Sequence, residues 1–207
     1  MGPPMYVSRS CYRSFNLKLM QSFFGADPMT QALEAAAPLV STGPWTQVAA
    51  LGIGGLTALG FDRKCEDMLV TSASGQSVMS GVTGKVLYRN REDDGLDIAR
   101  LKGTRLDHPA EERFDMAGLY GGGLRTVTDD GWRVLKQRGY CLLCRPKASV
   151  HILSVPGSDD PKEAAFHVLD KSGEDIRVLG FSWSGRTLVC ATPRTLTIWG
   201  RPAPLTL

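Results

Sequence analysis

Leu59-Gly60-Phe61, followed after a polar turn by Met68-Leu69-Val70-Thr71-Ser72-Ala73, returns later in the chain as Leu179-Gly180-Phe181, Ser184-Gly185-Arg186 and Leu188-Val189-Cys190-Ala191-Thr192. Each copy is two short apolar strands joined by a turn. Such a unit cannot bury both its faces alone, so its recurrence predicts a sheet protein assembled from similar β-units that cover one another. Alternation along the second strand of each copy predicts that Leu69 and Leu188 are buried on matching faces.

Working outward, residues 56–88 read as four strands, Leu56–Phe61, Met68–Ser72, Ser77–Ser80 and Lys85–Tyr88. Val82-Thr83-Gly84-Lys85 is read as a hairpin turn. A second set reads as Ala117–Leu119, Leu124–Thr128, Trp132–Gln137 and Tyr140–Cys144. A third begins at Val150–Ser154 and Ala165–Leu169. The last set, Ile176–Phe181, Thr187–Ala191 and Leu196–Trp199, stops one strand short. Four strands in about 40 residues is the content of one propeller blade, and residues 45–207 have room for about four. The expected fold is therefore mainly β, antiparallel, in propeller-like or partial-propeller units.

The front of the chain reads differently. Asp27 as N-cap, Pro28 at the first helical position and Met29, Leu33 and Ala36 at helical spacing predict a short N-terminal helix, Asp27–Ala37, docked on the β-domain. Residues 1–19 carry Arg9, Arg13 and Lys18, three serines and no acid, a composition shared with organellar transit peptides. A second start at Met20 favours a poorly structured, dispensable extension. The expected division is 1–19 extension, 20–44 helical segment and 45–207 β-repeat domain.

Charge and cysteine content narrow the function classes. The formal net charge is +3, carried mainly by residues 96–150 and too diffuse for a nucleic-acid face, so no direct nucleic-acid partner is expected. No apolar run reaches transmembrane length. Five scattered cysteines suit a reducing compartment better than a disulfide scaffold, and a cytoplasmic location is expected.

Catalytic near-misses each have a simpler reading. Gly52-Ile53-Gly54-Gly55-Leu56-Thr57 starts like a dinucleotide loop but ends in Thr57, without a strand-then-helix frame. Gly81 to Lys85 echoes a phosphate loop, yet Val86 stands where a hydroxyl would hold magnesium. Gly180-Phe181-Ser182-Trp183-Ser184 departs from a nucleophile elbow at Ser184, and none of His108, His151 and His167 stands in a recognisable frame as its base. Cys141 and Cys144 are half a zinc site; three apart in a strand they point to opposite faces, so buried apolar thiols are the simpler reading. No cofactor and no enzymatic activity are expected.

The remaining functional surface is loop chemistry. Ala117-Gly118-Leu119-Tyr120-Gly121-Gly122-Gly123-Leu124 is either a pair of tight turns around a strand or a recognition loop presenting Tyr120 beside Arg113, Arg125 and Trp132. Trp183, in the turn Ser182–Gly185, is the better exposed tryptophan, and Trp199 reads as core or sheet edge. Glu111 and Glu112, like Glu92-Asp93-Asp94, are acidic loops able to enter a partner's site or simply solvated charges.

The Gly-Phe, turn, Leu-Val phrase and the closing Leu196-Thr197-Ile198-Trp199 resemble the inner strands of WD-repeat and related β-propellers, although no Trp-Asp dipeptide closes a unit: Trp199 is followed by Gly200. Separately, Met20-Gln21-Ser22-Phe23-Phe24-Gly25, Gly60-Phe61, Phe114 to Leu124 ahead of Asp130-Gly131-Trp132, and Gly180-Phe181-Ser182 to Ile198-Trp199 look similar to small bacterial proteins encoded beside polymorphic toxins. That resemblance implies an immunity protein, which binds and silences a cognate toxin such as a type VI secretion effector. A scaffold subunit with the same fold is the alternative, and a hydrolase with an unrecognised site is a third.

Overall fold

A computed structural model describes residues 33–34, 41–108, 113–137, 139–146 and 166–202. Within them the chain is mainly β. The strands are β1 (Ser41–Thr42), β2 (Trp45–Gly52), β3 (Leu56–Phe61), β4 (Asp67–Ser72), β5 (Gly75–Ser80), β6 (Val86–Asn90), β7 (Leu96–Asp97), β8 (Lys102–Gly103), β9 (Phe114–Asp115), β10 (Ala117–Gly118), β11 (Arg133–Gln137), β12 (Tyr140–Cys144), β13 (Phe166–Asp170), β14 (Val178–Phe181), β15 (Thr187–Ala191) and β16 (Thr195–Gly200). They form four antiparallel sheets, ordered β1-β2-β16-β15-β14, β10-β3-β4-β5-β6, β11-β12-β13 and β7-β8-β9.

The repeated phrase occupies equivalent registers. Leu59, Gly60 and Phe61 pair with Val70, Leu69 and Met68. Leu179, Gly180 and Phe181 pair with Cys190, Val189 and Leu188. Both turns close alike, with Asp62 N–H donating to the Asp67 carbonyl and Ser182 N–H to the Thr187 carbonyl, each at 2.9 Å. This register corrects one expectation: the counterpart of Leu69 is Val189, and Leu188 answers to Met68. Leu69 and Leu188 accordingly face different clusters.

Apolar clusters between the sheets show why the units need one another. One joins Leu59, Phe61, Met68 and Val70 to Val178, Val189, Ala191 and Ile198. A second sets Phe181, Leu188, Cys190 and Trp199 against Val134, Cys141 and Leu143. A third places Ala58, Leu69 and Val78 against Phe114 and Met116. Each copy of the phrase thus turns its Leu and Phe toward one neighbour and its glycine toward the other, a head-to-tail stack in which every shared face removes apolar surface from water. No closed propeller is seen among the described residues.

The last unit does not lack a strand. Its fourth is β2, from the opposite end of the chain, paired with β16 from Thr46↔Gly200 to Gly52↔Thr195 across one register shift. Trp45 anchors this clasp: it is fully buried, packs edge-on to Trp132 at 6.1 Å and against Phe181 at 5.5 Å, and carries the Arg201 guanidinium over its ring at 4.9 Å.

The middle of the chain differs most from expectation. Leu124–Thr128 makes only the isolated bridges Arg125↔Phe181 and Val127↔Arg133. β10 joins the sheet of β3, while β11 pairs with β12 and β12 with β13, so the second predicted set is divided between sheets. Val150–Ser154 and most of the predicted Asp27–Ala37 helix lie outside the described residues. Leu33, from that segment, is fully buried with Leu142, Cys144, Phe166 and Val168.

Candidate functional site

Between the two copies of the phrase runs the segment 114–125. It passes Gly60, where an added Cβ would stand 2.5 Å from the Asp115 carbonyl oxygen, and Gly180, where it would stand 2.4 Å from Leu124 Cβ. Both glycines are there because another stretch of chain crosses them. Between these crossings β10 pairs with Ala58 and Leu59, and the chain reverses through Gly121 and Gly122, both at positive φ. A Cβ on Gly122 would lie 2.2 Å from the Met116 carbonyl oxygen. Tight reversal and close approach therefore account for these glycines.

Where this segment meets the ends of β3 and β14 it leaves a cleft of about 200 Å³, lined by Phe61, Asp115, Gly123, Leu124, Arg125, Phe181 and Trp183. The loops 62–67 and 182–187 are of equal length, so Arg63 and Trp183 hold the same position in the two copies. They touch: the Arg63 guanidinium lies 4.7 Å from the Trp183 ring centre. The Trp183 indole N–H donates to the Phe61 carbonyl at 3.3 Å. Arg63 also donates to Asp115 at 2.7 Å, and Lys102 forms a second ion pair with the same carboxylate. Hydrogen bonds from Arg63 and then Lys102 hold the Asp115 carboxyl below the usual carboxylate range. Arg125 donates to the Trp183 carbonyl oxygen and to Asp129, the latter at 2.6 Å. Arg63 and Arg125 thus both touch Trp183, one at its ring and one at its carbonyl, and each also holds a carboxylate, Asp115 or Asp129, while the tryptophan stays 41% exposed. An exposed tryptophan stiffened by a stacked guanidinium can anchor a partner at low entropic cost.

The residues expected at the surface are distributed unevenly. Trp183 and Arg125 share this cleft. Tyr120 is exposed at 48%, but its turn is tied to the other end of β3 through Leu119 N–H and the Thr57 carbonyl. The two anchors on β3, Thr57 and Phe61, are four residues and so roughly 13 Å apart. Arg113 is exposed beside buried Phe114. Trp132 is a correction: at 7% exposure it is core, enclosed with Trp45. Trp199 is buried. Glu111 and Glu112 lie outside the described residues. Arg63, Lys102 and Asp115 were not singled out by sequence. Aligning the two phrases would have exposed Arg63 as the counterpart of Trp183.

The near-misses resolve structurally. Gly55, at positive φ, turns β2 into β3, a strand-to-strand link. Gly84 N–H donates to the Ser80 carbonyl and Ser80 N–H to the Lys85 carbonyl, closing a hairpin. Ser182 is buried and its hydroxyl accepts from Thr187 N–H at 3.1 Å, a turn-closing role. Cys141 and Cys144 face different clusters. Burial pushes the His167 imidazole down to about 4, with Arg145 adding repulsion. His151 lies outside the described residues. Among the described residues no group of three or more His, Cys, Asp or Glu gathers as metal ligands, and no helix is long and apolar enough to cross a membrane.

Compared with known proteins, the chain matches no family model and no curated sequence.

Proposed function

We propose that the protein is a non-enzymatic binding module built on partial-propeller units, most concretely an immunity protein that binds a toxic effector domain in the cytoplasm and covers or distorts its active site. The observation that carries the binding reading is the Arg63–Trp183 stack at the meeting of the two repeats, with Arg125 beside it. Rigid aromatic and arginine side chains at a cleft rim are the usual carriers of interface energy. The immunity reading rests in addition on the sequence resemblance described above. With an overall charge of +3 the protein is not an acidic nucleic-acid mimic as a whole, so its contacts with a nuclease toxin have to come from particular side chains.

Co-expression with the protein encoded by the adjacent gene tests this reading. The expected result is survival of the host and a complex on gel filtration. Trp183→Ala and Arg125→Ala weaken both, whereas Tyr120→Ala separates the far end of β3 from the cleft. Absence of both protection and complex overturns the immunity reading; protection that survives the Trp183 and Arg125 changes places the interface elsewhere.

A further inference from the structure

Cys141 and Cys190 come from different sheets and meet in one cluster. Cys141 is the second residue of β12, and Cys190 lies within β15 opposite Leu179 and Thr197. Both are buried, at 0% and 4% exposure, in the cluster of Trp45, Trp132, Leu188 and Trp199. Their thiols are hydrogen-bonded to each other, which favours the thiolate at Cys141 and pushes the Cys190 thiol up. By contrast Cys144 projects from the other face of β12, and Cys65 is exposed.

The backbone around Cys141 has slack. The pairing of β12 with β13 slips between Cys141 and Leu142, and the β11–β12 hairpin turns just before it, with Gly139 at positive φ. Bulges and hairpin ends are places where a strand bends and opens locally at less cost than global unfolding. Cys141 is fully buried in the closed sheet, so its reaction with a reagent in solution requires opening at this hairpin end, opposite the unpaired Leu169 of β13.

We propose that Cys141 and Cys190 are a modification site, a dithiol that small-molecule disulfides such as oxidised glutathione convert into a covalent bridge between two sheets. The Cys141 thiolate attacks one sulfur of the oxidant, releasing one glutathione thiolate and leaving a mixed disulfide on Cys141. Cys190 then gives up its proton and attacks the Cys141 sulfur, releasing the second glutathione. Two protein thiols are oxidised, one disulfide reagent is reduced to two thiols, and the bridge ties β12 to β15. This inference is independent of the binding reading, because neither cysteine lines the cleft.

The test is to incubate the full chain with oxidised glutathione under native conditions and map disulfides in non-reduced digests by mass spectrometry. A peptide linking Cys141 to Cys190 is expected, with the thiols of both lost to titration in addition to that of exposed Cys65. The melting temperature should rise by roughly 10 °C, reversibly with dithiothreitol, because the bridge closes a long loop in the unfolded chain. Cys144→Ser should leave bridge and shift intact, and Cys190→Ser should abolish both. The linked peptide is sought in the wild-type chain, so the result does not depend on any variant folding. Recovery of Cys141 and Cys190 as free thiols after Cys65 has been fully modified, or a bridge to Cys144 instead, overturns the proposal.

Discussion

Arg63 and Trp183, which hold the same place in two copies of one sequence phrase, stack on each other with 4.7 Å between guanidinium carbon and ring centre. A repeat that packs head to tail brings equivalent loops close at the junction of its units. Divergence of one position to arginine and the other to tryptophan turns that closeness into a specific contact. The same junction holds Asp115, bound by Arg63 and Lys102, so packing of the stack and charge arrangement at the cleft are set together.

The crossing glycines are testable by single methyl groups. Gly60→Ala places a Cβ 2.5 Å from the Asp115 carbonyl oxygen and 2.8 Å from the Met116 sulfur. A cost of about 2 kcal/mol is expected from overpacking against backbone. Gly54→Ala, where no atom lies within 4 Å, is the control and should shift the urea midpoint little.

Burial distinguishes the tryptophans. Trp132→Ala should destabilise by about 3–5 kcal/mol, and Phe181→Ala by a similar amount, since each empties a packed site between sheets. Trp183→Ala should cost about 1 kcal/mol or less, its ring being partly solvated. Urea titrations of the three variants would separate a core role from a surface one.

The Arg201–Asp130 pair predicts an acid-side loss. Hydrogen bonding to Arg201 lowers the Asp130 carboxyl to about 2, against an ordinary value of 3.8. A depressed carboxylate contributes stability that is complete above its unfolded pKa and disappears as pH falls from about 4 through 2. Asp130 is 39% exposed, so solvent screening reduces the contribution to about 1 kcal/mol. The stability gap between wild type and Asp130→Asn should therefore be flat above pH 4 and narrow by that amount toward pH 2.

His167 acts over a different window. Its folded pKa of about 4 lies below the ordinary 6.5, so the unfolded chain takes up the proton first and stability falls as pH drops from about 6.5 to 4. His167→Gln should flatten the stability curve in that interval, measured by urea unfolding at fixed ionic strength. A curve as steep as wild type would assign the loss to other groups.

The clasp predicts complementation. A chain beginning at Leu56 lacks β2, exposes the edge of β16 and loses Trp45 from the core. It should not unfold cooperatively alone, and a peptide of residues 41–55 should restore a sigmoidal transition. Deletion of residues 1–19 should leave the melting temperature nearly unchanged.

Local sequence determined a good deal of this protein. The strands β3 to β5 and β14 to β16 were legible because alternation and turn residues act over a few positions, and the repeated Leu-Gly-Phe phrase marked two units of one design. The opposite faces of Cys141 and Cys144 followed from strand geometry alone. Tertiary structure decided the rest, since pairing and burial depend on partners far away in the chain. β2 became the fourth strand of the last unit because β16 offered it an unpaired edge, and no local signal joins residues near 50 to residues near 197. Trp132 became core because Trp45 arrived from that clasp, while Trp183, with a similar turn beside it, stayed at the rim. Gly60 has no local need for glycine; the crossing segment 114–125 supplies it. Exposure of a side chain is a property of what packs over it, and only the stacked sheets specify that.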